Sequence, residues 1–144
     1  MAMPVPDRSR FRHWAQDHAR YGDTDRQGHV NNAVFATFLE TGRVGFLYDR
    51  DAPLSPPGTE FVIARLALDF RAELDWRGAV AIGSIVTALG RSSCTIAQAI
   101  YQGERCCATA ETVIVLMDTT TRRATALPDA TRMALAAIGE PGIA

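Results

Sequence analysis

One segment dominates what this chain can become. Between Asn32 and Tyr48, Val34, Phe35, Phe38, Leu39, Gly42, Phe46 and Leu47 recur at spacings of three and four, which is the broad apolar stripe of an α-helix. After it the period changes. In "FVIARLALDF", Val62, Ala64, Leu66, Leu68 and Phe70 alternate onto one face, with Arg65 and Asp69 on the other, as in a half-buried strand. "AVAIGSIVTAL" is apolar on both faces, the pattern of a central strand covered on each side. "CTIAQAIY" and "CCATAETVIVLM" follow, joined by "QGER", whose glycine suits a hairpin.

The rest of the chain punctuates these runs. Phe11 to about Ala19 reads as a first strand. Between the helix and the later strands, "DAPLSPPG" holds three prolines and a glycine, which break helix and strand alike. "DTTTRRATALP" reads as a turn with a short extension. "PDATRMALAAIG" predicts a short helix beginning near Asp129, with Gly139 just past its end. The order is therefore one strand, one long helix, then four strands. A five-stranded antiparallel sheet around a single enclosed helix is an α+β architecture. Gly42 and Gly45 would let that helix approach the sheet closely, at some loss of helix propensity. With 144 residues, one domain is expected over 1–144, its core at about 11–127 and a short C-terminal extension at 128–144.

Composition narrows the function. Apolar residues make up 47% and charged residues 22%, a globular rather than a disordered profile. All fifteen cations are arginine, yet the net charge is −1 and no basic run appears, so no nucleic-acid partner is expected. The longest uncharged apolar run, Gly78 to Gly90, is too short to span a membrane. "MAMPVPDRSR" lacks the apolar centre of a signal peptide. Cys94, Cys106 and Cys107 form no CxxC pair and leave an odd thiol over, which argues against disulfides and structural zinc and for a reducing cytoplasm. Cys106 and Cys107 would point to opposite faces of a strand as buried small hydrophobes.

The chemistry concentrates in "RYGDTDRQGHVNNAVF", Arg20 to Phe35, where three readings compete. A calcium loop would use Asp23, Asp25 and Gln27 with Gly28 at the turn, but Val34 stands where the closing glutamate is required. A helix cap accounts for Asn31 or Asn32, with Gly28 allowing a tight turn and Asp23 or Asp25 forming it. An active site accounts for the crowding of polar groups at the mouth of an apolar helix. Unpaired N–H groups there stabilise negative charge developing on an oxygen, and a nearby carboxylate attacks an acyl carbon or deprotonates water.

"DTDRQGHVNN" followed by Phe35, Glu40 and Arg43 resembles the signature D-x-D-x-x-G-H-V-N-N-x-x-Y-x-x-x-x-E-x-x-R of hotdog-fold acyl-CoA thioesterases of the 4-hydroxybenzoyl-CoA thioesterase type. The later strand order agrees over most of the chain. That resemblance implies a hotdog fold whose subunits pair their sheets, as a homodimer or dimer of dimers, with active sites at the interface. It implies hydrolysis of an acyl-CoA to a free acid and CoA, with no metal and no cofactor beyond the CoA of the substrate. By motif, Asp25 is the catalytic carboxylate, as nucleophile or as general base, and the backbone N–H of Asn32 polarises the thioester carbonyl. Gly28, His29 and Asn31 would shape the substrate loop. Glu40 is a second candidate carboxylate, or else half of a buried or interface ion pair with Arg43 at i+3. Arg91 resembles a position where relatives place a base against CoA phosphate; Arg65, Arg71, Arg122 and Arg123 are weaker candidates for that contact, each better read as a solvated surface charge. Phe35 departs from the family's tyrosine and removes a hydroxyl from the acyl site. Two alternatives keep the fold: an enoyl-thioester hydratase or dehydratase, and a non-catalytic acyl-thioester binder.

Overall fold

A computed structural model describes residues 4–143. Strand β1 (His13–His18) is followed by helix α1 (Asn32–Leu47), then strands β2 (Thr59–Phe70), β3 (Ala79–Leu89), β4 (Ser93–Gln102) and β5 (Arg105–Asp118), and helix α2 (Asp129–Ala137). All neighbouring strands are antiparallel, in the order β1-β3-β4-β5-β2. The expected first strand is shorter than its sequence run. Phe11 leaves the ladder and packs on the opposite side of the sheet, its ring seated over Gly83, where a Cβ would lie 2.7 Å from it.

Helix α1 starts where its cap predicts. Asn31 is extended and its side chain accepts a hydrogen bond from Ala33 N at 3.0 Å, satisfying one of the orphan donors of the first turn. The helix ends at Leu47, whose carbonyl accepts from Leu54 N at 2.9 Å as the proline-rich segment turns away. Phe35, Phe38, Leu39, Gly42, Phe46 and Leu47 are buried against the sheet, each large side chain contributing about 1.5–3 kcal/mol of apolar burial. Arg43 is buried with them, only 7% exposed, which the stripe does not foretell.

The helix packs on β1, β3 and β4. On the far side of the inner face, the edge strand β2 leaves Ile63 and Phe70 about half exposed. The alternation read along β2 is broken there. Its pairing with β5 shifts between Ile63 and Arg65, a bulge that places Ala64 out of register. A one-residue slip exchanges the two faces of a strand. Phe61 and Ile63 therefore share the inner face with Leu66 and Leu68, and Val62 and Ala64 do not, contrary to the simple period of two.

The outer face is covered by the chain itself. Residues 4–11 cross it, with Tyr101 Oη donating to Pro6 O at 2.9 Å. Arg8 lies over the rings of Trp14 and Tyr101, 4.6 and 4.5 Å from their centroids. Cys106 sits beneath this segment and Cys107 in the core under α1, the opposite faces expected of them. Helix α2 closes the far end, where Val86 exchanges hydrogen bonds with Ile138 O and Glu140 N. Its Leu135 is fully buried beside Phe46. No described helix is long and apolar enough to cross a membrane.

Candidate active site

The loop from Tyr21 to Asn31 is tied into a fixed shape before α1 begins. Asp23 Oδ2 accepts from Arg20 N at 2.8 Å, and Asp23 O accepts from Asn31 N at 2.8 Å. Within the loop, Asp25 N donates to His29 O at 2.9 Å and Gly28 N to Asp25 O at 3.1 Å. This turn needs a residue with φ near +84°, which Gly28 supplies. Asp25 Oδ1 accepts from Gln27 N at 2.8 Å, so the carboxylate is held by the turn that it starts. Val30 N anchors the loop to Leu74 O at 3.1 Å.

Asp25, His29, Asn32 and Phe35 line one cavity of about 280 Å³, together with Phe70, Arg71 and Glu73. Within the first turn of α1, Ala33 N is used by the cap and Val34 N by Asn31 O. The Asn32 N–H has no described partner, as expected at a helix N-terminus. One wall is aromatic: the Phe35 and Phe70 rings meet edge to face, 5.2 Å apart at 74°. His29 is not free to choose a partner. Its Nε2 lies 3.0 Å from Glu73 Oε2, while its carbonyl holds Asp25 N.

Gly28 and Asn31 shape this cavity through the backbone turn and the cap. Two predicted residues are elsewhere. Arg91 sits beyond Leu89, at the opposite end of β3 from the loop, roughly 33 Å away at the usual rise per strand residue. Its carbonyl accepts from Leu127 N at 2.9 Å. Glu40 is exposed and lines a second cavity of about 440 Å³ further along α1. Glu40 and Arg43 form no close ion pair among the described residues, because Arg43 turns inward to Gln98 Oε1 at 3.3 Å, although the Glu40 charge still favours the charged guanidinium.

Phe70, Arg71 and Glu73 enter the cavity from the end of β2 and the segment that follows it, which no local pattern marked for a site. Arg71, read from the sequence as a surface charge, instead lines the cavity and donates to Thr109 Oγ1 at 2.9 Å. Behind the loop, Gly28, His29 and Glu73 also border a cleft of about 330 Å³ with Arg77 and Arg105. These two bring further guanidinium groups to that cleft. Arg65 and Arg122 are taken up by Glu111 at 2.7 Å and Glu60 at 3.4 Å.

A carboxylate, a helix-mouth amide with no partner among the described residues and an aromatic wall form the equipment of an acyl-transfer site. The sheet that carries it, curled around one long helix, is the hotdog fold. The chain belongs to the Thioesterase-like superfamily, which it matches over residues 19–135. Among solved structures it is similar to the PA5185 protein of Pseudomonas aeruginosa strain PAO1, with 26% identity, 96% of this chain and 99% of that one covered, and a TM-score of 0.86. It is also similar to a thioesterase of Thermus thermophilus complexed with coenzyme A and Zn, with 29% identity, 89% and 94% covered, and a TM-score of 0.78. A predicted thioesterase of Bacillus stearothermophilus is 26% identical, with 90% and 98% covered and a TM-score of 0.79. No curated protein matches the sequence. The family and these neighbours support thioester hydrolysis as the class of activity.

Proposed function

We propose that this chain is an acyl-CoA thioesterase of the 4-hydroxybenzoyl-CoA thioesterase type, releasing a free carboxylic acid and CoA. The observation that carries the reading is the shared cavity of Asp25 and the unpaired Asn32 N–H. The thioester carbonyl accepts from that N–H, and charge developing on its oxygen is stabilised by the helix N-terminus. Asp25 either attacks the carbonyl carbon, giving an anhydride that water opens, or takes a proton from the attacking water. In the first route water opens the anhydride at the Asp25 carbonyl, and the attacking aspartate oxygen stays on the acid. In the second the water oxygen goes directly to the acyl carbon. In both the C–S bond breaks and the thiolate is protonated. Glu40 lies eight residues along the helix, about 12 Å from Asn32, which supports Asp25 as the reacting carboxylate. The scheme calls for no metal or cofactor.

Coenzyme A bound to the Thermus thermophilus neighbour supports CoA as the thiol carrier. Arg71, Arg77 and Arg105 are the groups we assign to its phosphates. The exposed β2 edge, with Ile63 and Phe70 half uncovered, supports pairing of two copies into one continuous sheet beside the site. Three free, buried cysteines fit a reducing cytoplasm.

Release of CoA thiol from a panel of aliphatic and aromatic acyl-CoAs tests the reaction, with the acid product identified by mass. Asp25→Asn should lose about 10²–10⁴ in kcat; wild-type turnover by this variant would remove Asp25 from the chemistry. Single turnover in ¹⁸O-water separates the two routes, because only the nucleophilic one leaves label in the protein.

A further inference from the structure

Arg71 joins the site to the other side of the sheet. With Arg65, Ala67 and Asp69 of β2 it lines a cavity of about 520 Å³ on the outer face, whose further walls include Pro4 and Pro6. The residue sits where the strand ends, its N and that of Ala72 both donating to Cys107 O, at 2.8 and 3.1 Å. There it also borders the Asp25 cavity, and among the described residues it alone lines both. Two hydrogen bonds hold its guanidinium. Nε donates to Thr109 Oγ1 at 2.9 Å, and Nη2 donates to Pro4 O at 3.3 Å. Bonds on two sides of a rigid planar fork set its orientation. Both acceptors are neutral, so they aim the cation without neutralising it.

The Pro4 carbonyl is itself carried on a braced segment. Proline fixes φ and keeps the residue before it extended, and Val5 stands between Pro4 and Pro6. From Pro6 onward the segment is tied down. Tyr101 Oη donates to Pro6 O at 2.9 Å, and Asp7 caps the turn at Arg8–Arg10 by accepting from Ser9 N at 2.9 Å. Arg8 Nη1 donates to Gly103 O at 3.1 Å while its guanidinium lies against the Trp14 and Tyr101 rings. Val5 remains 62% exposed, so this stretch is not laid down to bury its one large aliphatic side chain.

We propose that residues 4–8 are a positioning strap for the substrate site. The Pro4 carbonyl turns the Arg71 guanidinium toward the phosphates of the acyl-CoA, and the outer face of the sheet thereby sets affinity for the CoA end of the substrate. This rests on the assignment of Arg71 to those phosphates. Pro4 touches no substrate and acts through Arg71. Arginine loses rotamer freedom when it binds a phosphate, and the strap removes part of that freedom beforehand. The phosphates take no part in the chemistry at Asp25, so the strap contributes to KM and not to kcat.

Steady-state kinetics test this with one acyl group carried on CoA and on pantetheine, which lacks the phosphates. A chain without residues 1–5 should raise KM for the acyl-CoA about three- to tenfold, the range of one net hydrogen bond. Its kcat and its acyl-pantetheine constants should stay within about twofold of wild type. Tyr101→Phe, which keeps the chain whole and removes the tie to Pro6, should shift the acyl-CoA KM in the same direction. With Arg71→Ala in place, neither change should raise KM further, because effects that run through one residue do not add. The strap's role is overturned if the truncation leaves the acyl-CoA KM unchanged, raises the acyl-pantetheine KM equally, or adds its full factor to Arg71→Ala; each result leaves the thioesterase reading intact. Failure of wild type to hydrolyse either thioester would overturn that reading and this inference with it.

Discussion

At Gly42 the helix passes close against the sheet, and the effect of adding one methyl group there can be worked out. A Cβ on Gly42 would lie 2.6 Å from Ile82 Cγ2 and 2.8 Å from Gln98 Nε2. Neither neighbour can retreat easily. Ile82 is fully buried in the middle of β3, paired with Ala15 and Ile100, and its branched side chain has little rotamer freedom. Gln98 is held by its bonds to Leu39 O and Ser84 Oγ. Overpacking costs about 1–3 kcal/mol. Displacing the amide leaves a buried polar group unsatisfied, a further ~1–3 kcal/mol. Against this, alanine gains about 1 kcal/mol of helix propensity over glycine. Gly42→Ala should therefore destabilise the protein by roughly 1–5 kcal/mol, lowering the midpoint of urea unfolding with the slope unchanged. Gly45 provides the comparison on the same helix. Its added Cβ would meet His13 Cε1 at 3.0 Å, an edge of a ring that can tilt, so Gly45→Ala should stay within about 1 kcal/mol of wild type. The close-approach account fails if Gly42→Ala unfolds at or above the wild-type urea midpoint.

Two further outcomes follow from buried groups. His13 sits under α1, edge to face with Phe46 at 5.2 Å, its Nδ1 buried without a partner, and burial lowers its pKa from 6.5. Its folded form resists the proton that the unfolded chain accepts, so stability should be full above about pH 6.5 and decline as pH falls through the window below it, by at most ~1.4 kcal/mol per pH unit. His13→Gln should flatten that part of a stability-against-pH curve, and an unchanged slope would show that another group is responsible. Burial also pushes the Cys94 thiol up to about 12 and raises Cys106 and Cys107. In native protein at about pH 8 all three should react with a disulfide reagent only on the timescale of unfolding; one fast equivalent would contradict their placement.

What the sequence revealed and what it hid have physical reasons. The α1 stripe and its Asn31 cap are local patterns, and the helix forms within a residue of its expected end. Asp25, Gly28, His29 and Asn32 are likewise close together in the chain, so their convergence needed no long-range knowledge. Phe70, Arg71 and Glu73 arrive from the far side of the proline-rich segment, by way of the Val30-to-Leu74 bond, and nothing nearby marks them. The sequence offers Arg43 only as half of a buried or interface ion pair with Glu40. It is buried, but its described hydrogen bond goes to Gln98, a residue 55 positions away that no local pattern links to it. Arg91 was carried over by resemblance, and within one copy the hairpin that holds it lies at the far end of β3 from the loop. The parity of β2 was hidden because "FVIARLAL" offers apolar residues on both sides of the slip, so either register looks acceptable.

That slip at Ala64 bears on how the chain avoids sticking to itself. An exposed edge strand of twelve residues is a template on which further chains can stack without limit. A bulge twists the edge and interrupts its even spacing of donors and acceptors, so an incoming strand cannot run along the whole length unbroken. Two identical copies meeting about a two-fold axis set their interruptions symmetrically and close the contact. A foreign flat strand finds no such match. The residue that spoils the sheet's regularity thus works as a stop signal against open-ended stacking of strands.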